Sequence, residues 1–293
     1  MTAQTAQILD GKKISMQLQA ELKLHIAQSI QKGLAPPGLA VILVGSDPAS
    51  QIYVHHKHQA CIQVGIKSEV IQLDKNVTEV YLLTLIKTLN HRVDIHGILV
   101  QLPLPPHIQT HKILDAVSPS KDVDGFHPLN LGYLAQQRPL LRPCTPAGIM
   151  NLLAAYDLTV KGANATVVGV SNIVGRPMLL ELLQANATVT ACHLYTKNLQ
   201  AHIQNADILI VAIGNPNFIP GHFIKSGAIV VDVGMNRSKT GQIVGDVNFE
   251  EACQRAAWIT PVPGGVGPMT VTTLLQNTIL AAWGVNSETF VPI

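Results

Sequence analysis

Between Asp10 and Gly33 apolar residues recur every four positions, at Ile14, Leu18, Leu22, Ile26 and Ile30, the spacing of one face of an amphipathic helix. Asp10 offers an N-cap carboxylate and Gly33 a stop. Short apolar or alternating runs follow at residues 39–44, 68–73 and 98–100, separated by helical spacing at 48–64 and 78–90. Strands that alternate with helices predict a parallel sheet. A segment punctuated by Pro and Gly, residues 119–146, interrupts this pattern and predicts a domain junction. Beyond it, a helical run at 147–156 leads into strand-like runs at 165–170, 187–192, 207–211 and 228–233. That second series reads as a doubly wound nucleotide-binding domain. Pro263-Gly-Gly-Val-Gly-Pro268 breaks the chain before a last apolar helix at 269–283, which can return to the first domain.

Length agrees with two domains and a cleft between them, since 293 residues exceed what one hydrophobic core usually organises. A hydrophobic fraction of 47% against 13% charged residues is that of a folded globular chain. The net charge is +2 with no basic run, which argues against a nucleic-acid partner. No apolar stretch resembles a signal peptide, and runs such as 208–213 are too short to span a bilayer, so a cytoplasmic protein without a membrane partner is expected. Four cysteines without a Cys-x-x-Cys pair point to reduced packing thiols. His55 and His58 share a helix face, but no carboxylate or third ligand stands at a metal-site spacing, and no metal is expected.

Candidate chemistry begins with the run Gly169-Val-Ser-Asn-Ile-Val-Gly175, which lies between a strand and a helix. A helix N-terminus offers unpaired N–H groups and the positive end of its dipole to a pyrophosphate. Gly169 permits a tight turn, Gly175 a close approach of helix and strand, and Ser171 a hydroxyl donor. A glycine turn that only packs a helix on its strand would look the same. Asp47-Pro48 opens a helix on which Tyr53 and Lys57 fall four residues apart, so a ring and an amine point the same way. The amine could act as general acid or base and the ring could stack on a heterocycle, yet the spacing alone better describes an exposed surface pair. Gln101 closes a strand before Leu102-Pro103-Leu104-Pro105, and the prolines aim its amide into the strand-end crevice. Asp122 and Asp124 stand in a turn, where either could accept N–H bonds from a ligand or simply close the turn.

Six motifs, in order, resemble the bifunctional methylenetetrahydrofolate dehydrogenase/methenyltetrahydrofolate cyclohydrolase family. They are the run from Gly45 through Tyr53 and Lys57 to Cys61, Gly97-Ile-Leu-Val-Gln101-Leu-Pro-Leu-Pro105, Lys121-Asp-Val-Asp124-Gly125, Pro143-Cys-Thr-Pro146, Asp232-Val-Gly234, and Thr260-Pro-Val-Pro-Gly-Gly-Val-Gly-Pro-Met-Thr270. The resemblance implies an α/β chain of two domains. A three-layer folate domain would span residues 1–142 with a returning helix at 276–293, and a Rossmann-like dinucleotide domain would span 143–275. It implies a homodimer that uses NADP to oxidise 5,10-methylenetetrahydrofolate to the methenyl cation, then hydrolyses the cation to 10-formyltetrahydrofolate. By similarity Lys57 manages protons, Gln101 orients it, Tyr53 stacks on the ligand and Asp124 grips the pterin. Ser50, Leu102, Pro103, Pro263, Gly264 and Gly265 would line the folate, while Gly169, Val170, Ser171, Ile173, Val174, Gly175, Thr145 and Met235 would hold the dinucleotide.

One departure bears on the cofactor. Family members usually carry Gly-Arg-Ser where this chain has Gly169-Val170-Ser171, and a second phosphate-facing position is Leu194. No Asp or Glu replaces them at the end of the strand at 187–192 to hold a ribose 2′-hydroxyl. NADP with weakened discrimination against NAD is therefore expected, Arg176 or Lys197 standing in for the missing guanidinium. A monofunctional dehydrogenase and a catalytically silent binding regulator are the alternatives, and Lys57, Gln101 and Asp124 speak against the first.

Overall fold

The computed structural model describes residues 5–238 and 241–284. In chain order the elements are β1 (Gln7–Ile8), α1 (Gly11–Gln31), β2 (Gly38–Val44), α2 (Pro48–Val64), β3 (Lys67–Leu73), α3 (Glu79–His91), β4 (Gly97–Val100), α4 (Thr110–Ala116), α5 (Pro128–Ala135) and α6 (Cys144–Ala155). There follow β5 (Asn164–Val168), α7 (Gly175–Gln184), β6 (Thr188–Cys192), α8 (Leu199–Gln204), β7 (Ile208–Val211), β8 (Ile229–Asp232), β9 (Asn236–Arg237), β10 (Ile243–Val244), α9 (Phe249–Cys253), β11 (Trp258–Ile259) and α10 (Val266–Trp283). The chain forms two compact units. Among the described residues, one comprises 17–144 with 271–284, the other 5–16 with 145–270.

The first unit is built on a parallel sheet in the order β3-β2-β4. All seven residues of β2 are buried, as expected of a strand covered on both faces. Their side chains alternate between faces. Leu39, Val41 and Leu43 pack with Leu22 and Ile26 of α1, Val54 and Cys61 of α2, and Leu274 and Ile279 of α10. Ala40, Ile42 and Val44 pack with Leu82, Ile86 and Leu89 of α3 and Ile113 of α4. The result is three layers, with the last helix returning to cover one face. On α1 the four-residue spacing holds for Ile14, Leu18, Leu22 and Ile26, which are buried, but Ile30 is exposed. A helix turns 100° per residue, so a strict four-residue repeat drifts off the buried face.

The second unit carries a six-stranded parallel sheet in the order β1-β11-β8-β7-β5-β6. The order reverses at β5, because the chain moves outward to β6 and then returns across β5 to β7. Crevices at such a switch point, beyond the strand C-termini, are where open α/β sheets take ligands. Two expectations need correction. Gln7 and Ile8 pair with Trp258 and Ile259 in this sheet, so the span 1–142 is not wholly one unit. The final helix also starts at Val266 rather than 269. Pro268 fits its first turn, where a missing N–H costs no intrahelical bond. Residues 285–293 of the expected returning segment lie outside the described residues.

Candidate active site

Helix α2 is capped as its sequence dictates. Asp47 accepts hydrogen bonds from the Ser50 backbone N–H and hydroxyl, both at 2.8 Å, and Pro48 sits at the start. Gly65, at φ 97°, ends the helix in the left-handed conformation. Between these caps Lys57 is 92% buried, which removes it from the class of surface lysines. Its Nζ donates to Gln101 Oε1 at 3.1 Å, while Gln101 Nε2 donates to the Leu102 carbonyl at 2.9 Å. Both halves of the Gln101 amide are thus committed, and the carboxamide oxygen is aimed at the amine. Tyr53 is half-buried one turn before Lys57, and burial pushes its hydroxyl pKa up. Ser50 is buried with its proton given to Asp47, so towards a ligand it can only accept. His58 Nδ1 lies 3.0 Å from Ser68 Oγ, and the Cys61 thiol is buried with its pKa pushed up to about 12.

The two carboxylates of the Lys121–Gly125 turn have different work. Asp122 is buried and accepts from the N–H groups of Phe126 (3.1 Å) and His127 (2.7 Å) and from Asn130 Nδ2 (2.9 Å). Its oxygens close the turn, and burial raises its pKa against the pull of those donors. Lys121 is likewise structural, donating to the carbonyls of Leu89 (3.3 Å) and Arg92 (2.7 Å) at the end of α3. Asp124 is half-buried on the same turn. Asn277 of α10 fixes this segment, giving its amide protons to the Val123 and Arg142 carbonyls, each at 2.8 Å.

In the second unit, Gly169 has φ +101° and a side chain there would run into the Ala212 carbonyl oxygen, while one on Gly175 would run into the Gly169 carbonyl oxygen. The β5 loop, the β7 loop and the start of α7 therefore touch through bare backbone, with no room for a Cβ at either glycine. Ser171 Oγ accepts from the N–H groups of Val174 (3.2 Å) and Gly175 (3.4 Å), which leaves its proton for a ligand. Ser171 and Ile173 are exposed and Val170 and Val174 half-buried along the loop. At the end of β6, Leu194 is 90% exposed. The turn beneath it is held by His193 N–H to Thr196 Oγ1 at 2.8 Å.

Thr145 Oγ1 lies 3.1 Å from Thr270 Oγ1, and Met235 is exposed beyond β8. Pro263, Gly264 and Gly265 belong to this unit rather than to the unit of Lys57, and Gly264 accepts the Lys12 N–H at 2.8 Å through its carbonyl. Asp232 and Asp246, both buried, knit the neighbouring loops. Asp232 accepts from the N–H groups of Gly234, Asp246 and Val247 at 2.8–2.9 Å, and burial raises its pKa to about 6. A cavity of about 450 Å³ opens beside it, lined in part by Asn217, Val247, Phe249 and Pro261. Sequence reasoning passed over Asp246 and Asn277. The one available signal was Gly245-Asp-Val247, which repeats the Asp-Val pair of Asp232-Val-Gly234 beside a glycine.

A family model described as the tetrahydrofolate dehydrogenase/cyclohydrolase catalytic domain matches residues 9–124, and the NAD(P)-binding domain of the same family matches residues 143–285. A solved bifunctional methylenetetrahydrofolate dehydrogenase/cyclohydrolase from Campylobacter jejuni is 52% identical over 94% of this chain and 98% of its own, with a TM-score of 0.92. A 5,10-methylenetetrahydrofolate dehydrogenase from the silkworm Bombyx mori is 43% identical over 94% of this chain and 98% of its own, with a TM-score of 0.89. The Trypanosoma brucei dehydrogenase-cyclohydrolase, solved with NADP cofactor and an inhibitor, is 37% identical over 94% and 97%, with a TM-score of 0.90.

Proposed function

The chain belongs to the tetrahydrofolate dehydrogenase/cyclohydrolase family, and on that premise we propose how its residues run the two reactions of a bifunctional enzyme of one-carbon metabolism. The observation that carries the reading is the buried Lys57 amine held 3.1 Å from Gln101 Oε1.

The oxidation takes 5,10-methylenetetrahydrofolate to the methenyl cation, and a bound nicotinamide supplies the acceptor for the departing hydride. The chain's part is to hold the folate still, because hydride transfer depends on geometry between rings. Tyr53 stacks on the folate and Asp124 accepts N–H bonds from the pterin, Asp122 being occupied with its own turn. Ser50, Leu102 and Pro103 complete the contacts. In the hydrolysis, water adds to the cationic carbon and the Lys57 amine takes its proton. The bond from that carbon to N5 then breaks, N5 is protonated, and the formyl group stays on N10. Gln101 keeps the amine on the reacting carbon.

The dinucleotide phosphates rest on the N-terminus of α7, with Gly169, Val170, Ser171, Ile173, Val174 and Gly175 beneath them and Thr145 and Met235 alongside. The exposed Ser171 hydroxyl, whose oxygen accepts from Val174 and Gly175 and whose proton is left for a ligand, supports this placement. We assign NADP as cofactor, with discrimination against NAD weakened by Val170 and by the exposed Leu194. Arg176 and Lys197, both exposed, are the cations left to meet a 2′-phosphate. Family resemblance supports a cytoplasmic homodimer. The decisive experiment adds methenyltetrahydrofolate without dinucleotide and follows its absorbance. Lys57→Ala should abolish catalysed decay, and an unchanged rate would refute the role.

A further inference from the structure

We propose that Asp246 is a positioning residue for the dinucleotide site, one acceptor that holds two of its loops in register. The inference rests on the functional reading above and concerns only how the cofactor half of the site is kept in shape.

Asp246 is fully buried. Its Oδ2 accepts from the N–H groups of Ile213 (2.6 Å) and Gly214 (3.0 Å), and its Oδ1 from Asn215 N–H (2.9 Å) and Asn236 Nδ2 (2.8 Å). A carboxylate has about four acceptor sites, and here N–H donors take all four. Three of those donors are consecutive amides of the loop after β7. The fourth belongs to the residue after Met235. One side chain therefore fixes both the loop at the switch point and the segment that presents Met235.

The β7 loop passes this placement on by contact. The Ala212 carbonyl lies against Gly169, and the Gly169 carbonyl against Gly175 at the start of α7. A shift of the 212–215 backbone must therefore move the phosphate loop or open a gap beside it. Asp246 is itself held by Asp232, which accepts its backbone N–H at 2.9 Å. The glycine beside each aspartate makes room for the other, for a side chain on Gly234 would strike Asp246 and one on Gly245 would strike Asp232. Nothing in this arrangement needs to touch cofactor or substrate. Its output is loop position.

Asn in place of Asp246 keeps the size but turns one acceptor oxygen into an NH2 group that faces two donors. The test measures both activities of full-length Asp246→Asn. The KM for NADP and for NAD should rise about tenfold, with dehydrogenase kcat within threefold and dinucleotide-free cyclohydrolase within twofold of the parent. The exchange variant, Asp246→Asn with Asn236→Asp, restores one donor–acceptor pair and should recover part of the KM. A rise below threefold overturns the proposal, as does a parallel loss of cyclohydrolase, which would mark Asp246 as a general fold support. Should Asp246→Asn fail to fold, Asn236→Ala removes one donor from a half-buried position. An unchanged dinucleotide KM in that variant also overturns it. A parent enzyme lacking either activity would instead sink the functional reading itself.

Discussion

Exchanging Gln101 for Met keeps the length of the side chain and removes only its amide. In the parent, that amide oxygen accepts from the Lys57 amine at 3.1 Å, and Lys57 is only 8% exposed, so water cannot easily replace the lost partner. A hydrogen bond contributes about 1 kcal/mol net, and about 1.5–3 kcal/mol where one partner is charged. If that energy serves to place the amine at the methenyl carbon, cyclohydrolase kcat should fall roughly 5- to 150-fold, at about 1.4 kcal/mol per factor of ten. The dehydrogenase, which asks for two rings in register rather than a placed amine, should fall by about threefold or less. The assay is loss of methenyltetrahydrofolate absorbance without dinucleotide, beside methenyl formation with saturating NADP. The double variant Gln101→Met/Lys57→Ala should hydrolyse no more slowly than Lys57→Ala alone, because residues acting as one unit are not additive. A cyclohydrolase loss under threefold, or a dehydrogenase loss as large as the cyclohydrolase loss, would refute the assigned orienting role.

Two further outcomes are expected. Burial raises the Asp232 carboxyl to about 6 from an ordinary 3.8, so its proton is held more tightly in the fold than in the unfolded chain. The associated stability is present below about pH 4 and lost as pH rises through about 6, some 3 kcal/mol in all. Urea midpoints should show the parent losing ground to Asp232→Asn over that interval, and parallel curves would sink the assignment. For the cofactor, the parent should prefer NADP over NAD by less than about a hundredfold, and Val170→Arg should raise that ratio about tenfold through a charge-assisted phosphate bond. A ratio of kcat/KM values unmoved by Val170→Arg would show that the 2′-phosphate is held elsewhere.

The longer strands of both sheets could be read from the chain because each is an apolar or alternating run, and β2 is the clearest because burial on both faces leaves it no polar position. Two-residue strands leave no such trace. Gln7–Ile8 cannot display a period, and only the distant partner Trp258–Ile259 makes it a strand. The candidate site divides in the same way. Tyr53, Lys57 and Gln101 could be named, but local spacing could not say that Lys57 is buried, since that depends on β2 and α10 packing around α2. Asp122 and Asp124 were equivalent on paper. They separate only because Asn130 and the amides of 126 and 127 close upon Asp122. Asp246 escaped notice because its four donors come from two remote loops, and each looked like ordinary turn sequence.

The pairing of β1 with β11 also sets an order of events during synthesis. The outer strand of the six-stranded sheet leaves the ribosome before its other strands, and the strand it must join, at Trp258, emerges after all of them. Closing so long a loop adds little to its thermodynamic cost, which grows only with the logarithm of length, but contacts this distant in sequence form late. Until then the edge of β8 that β11 will cover stays open, and an open strand edge is a template for pairing with another chain. The nascent dinucleotide unit should therefore depend most on chaperones just before its last strand arrives.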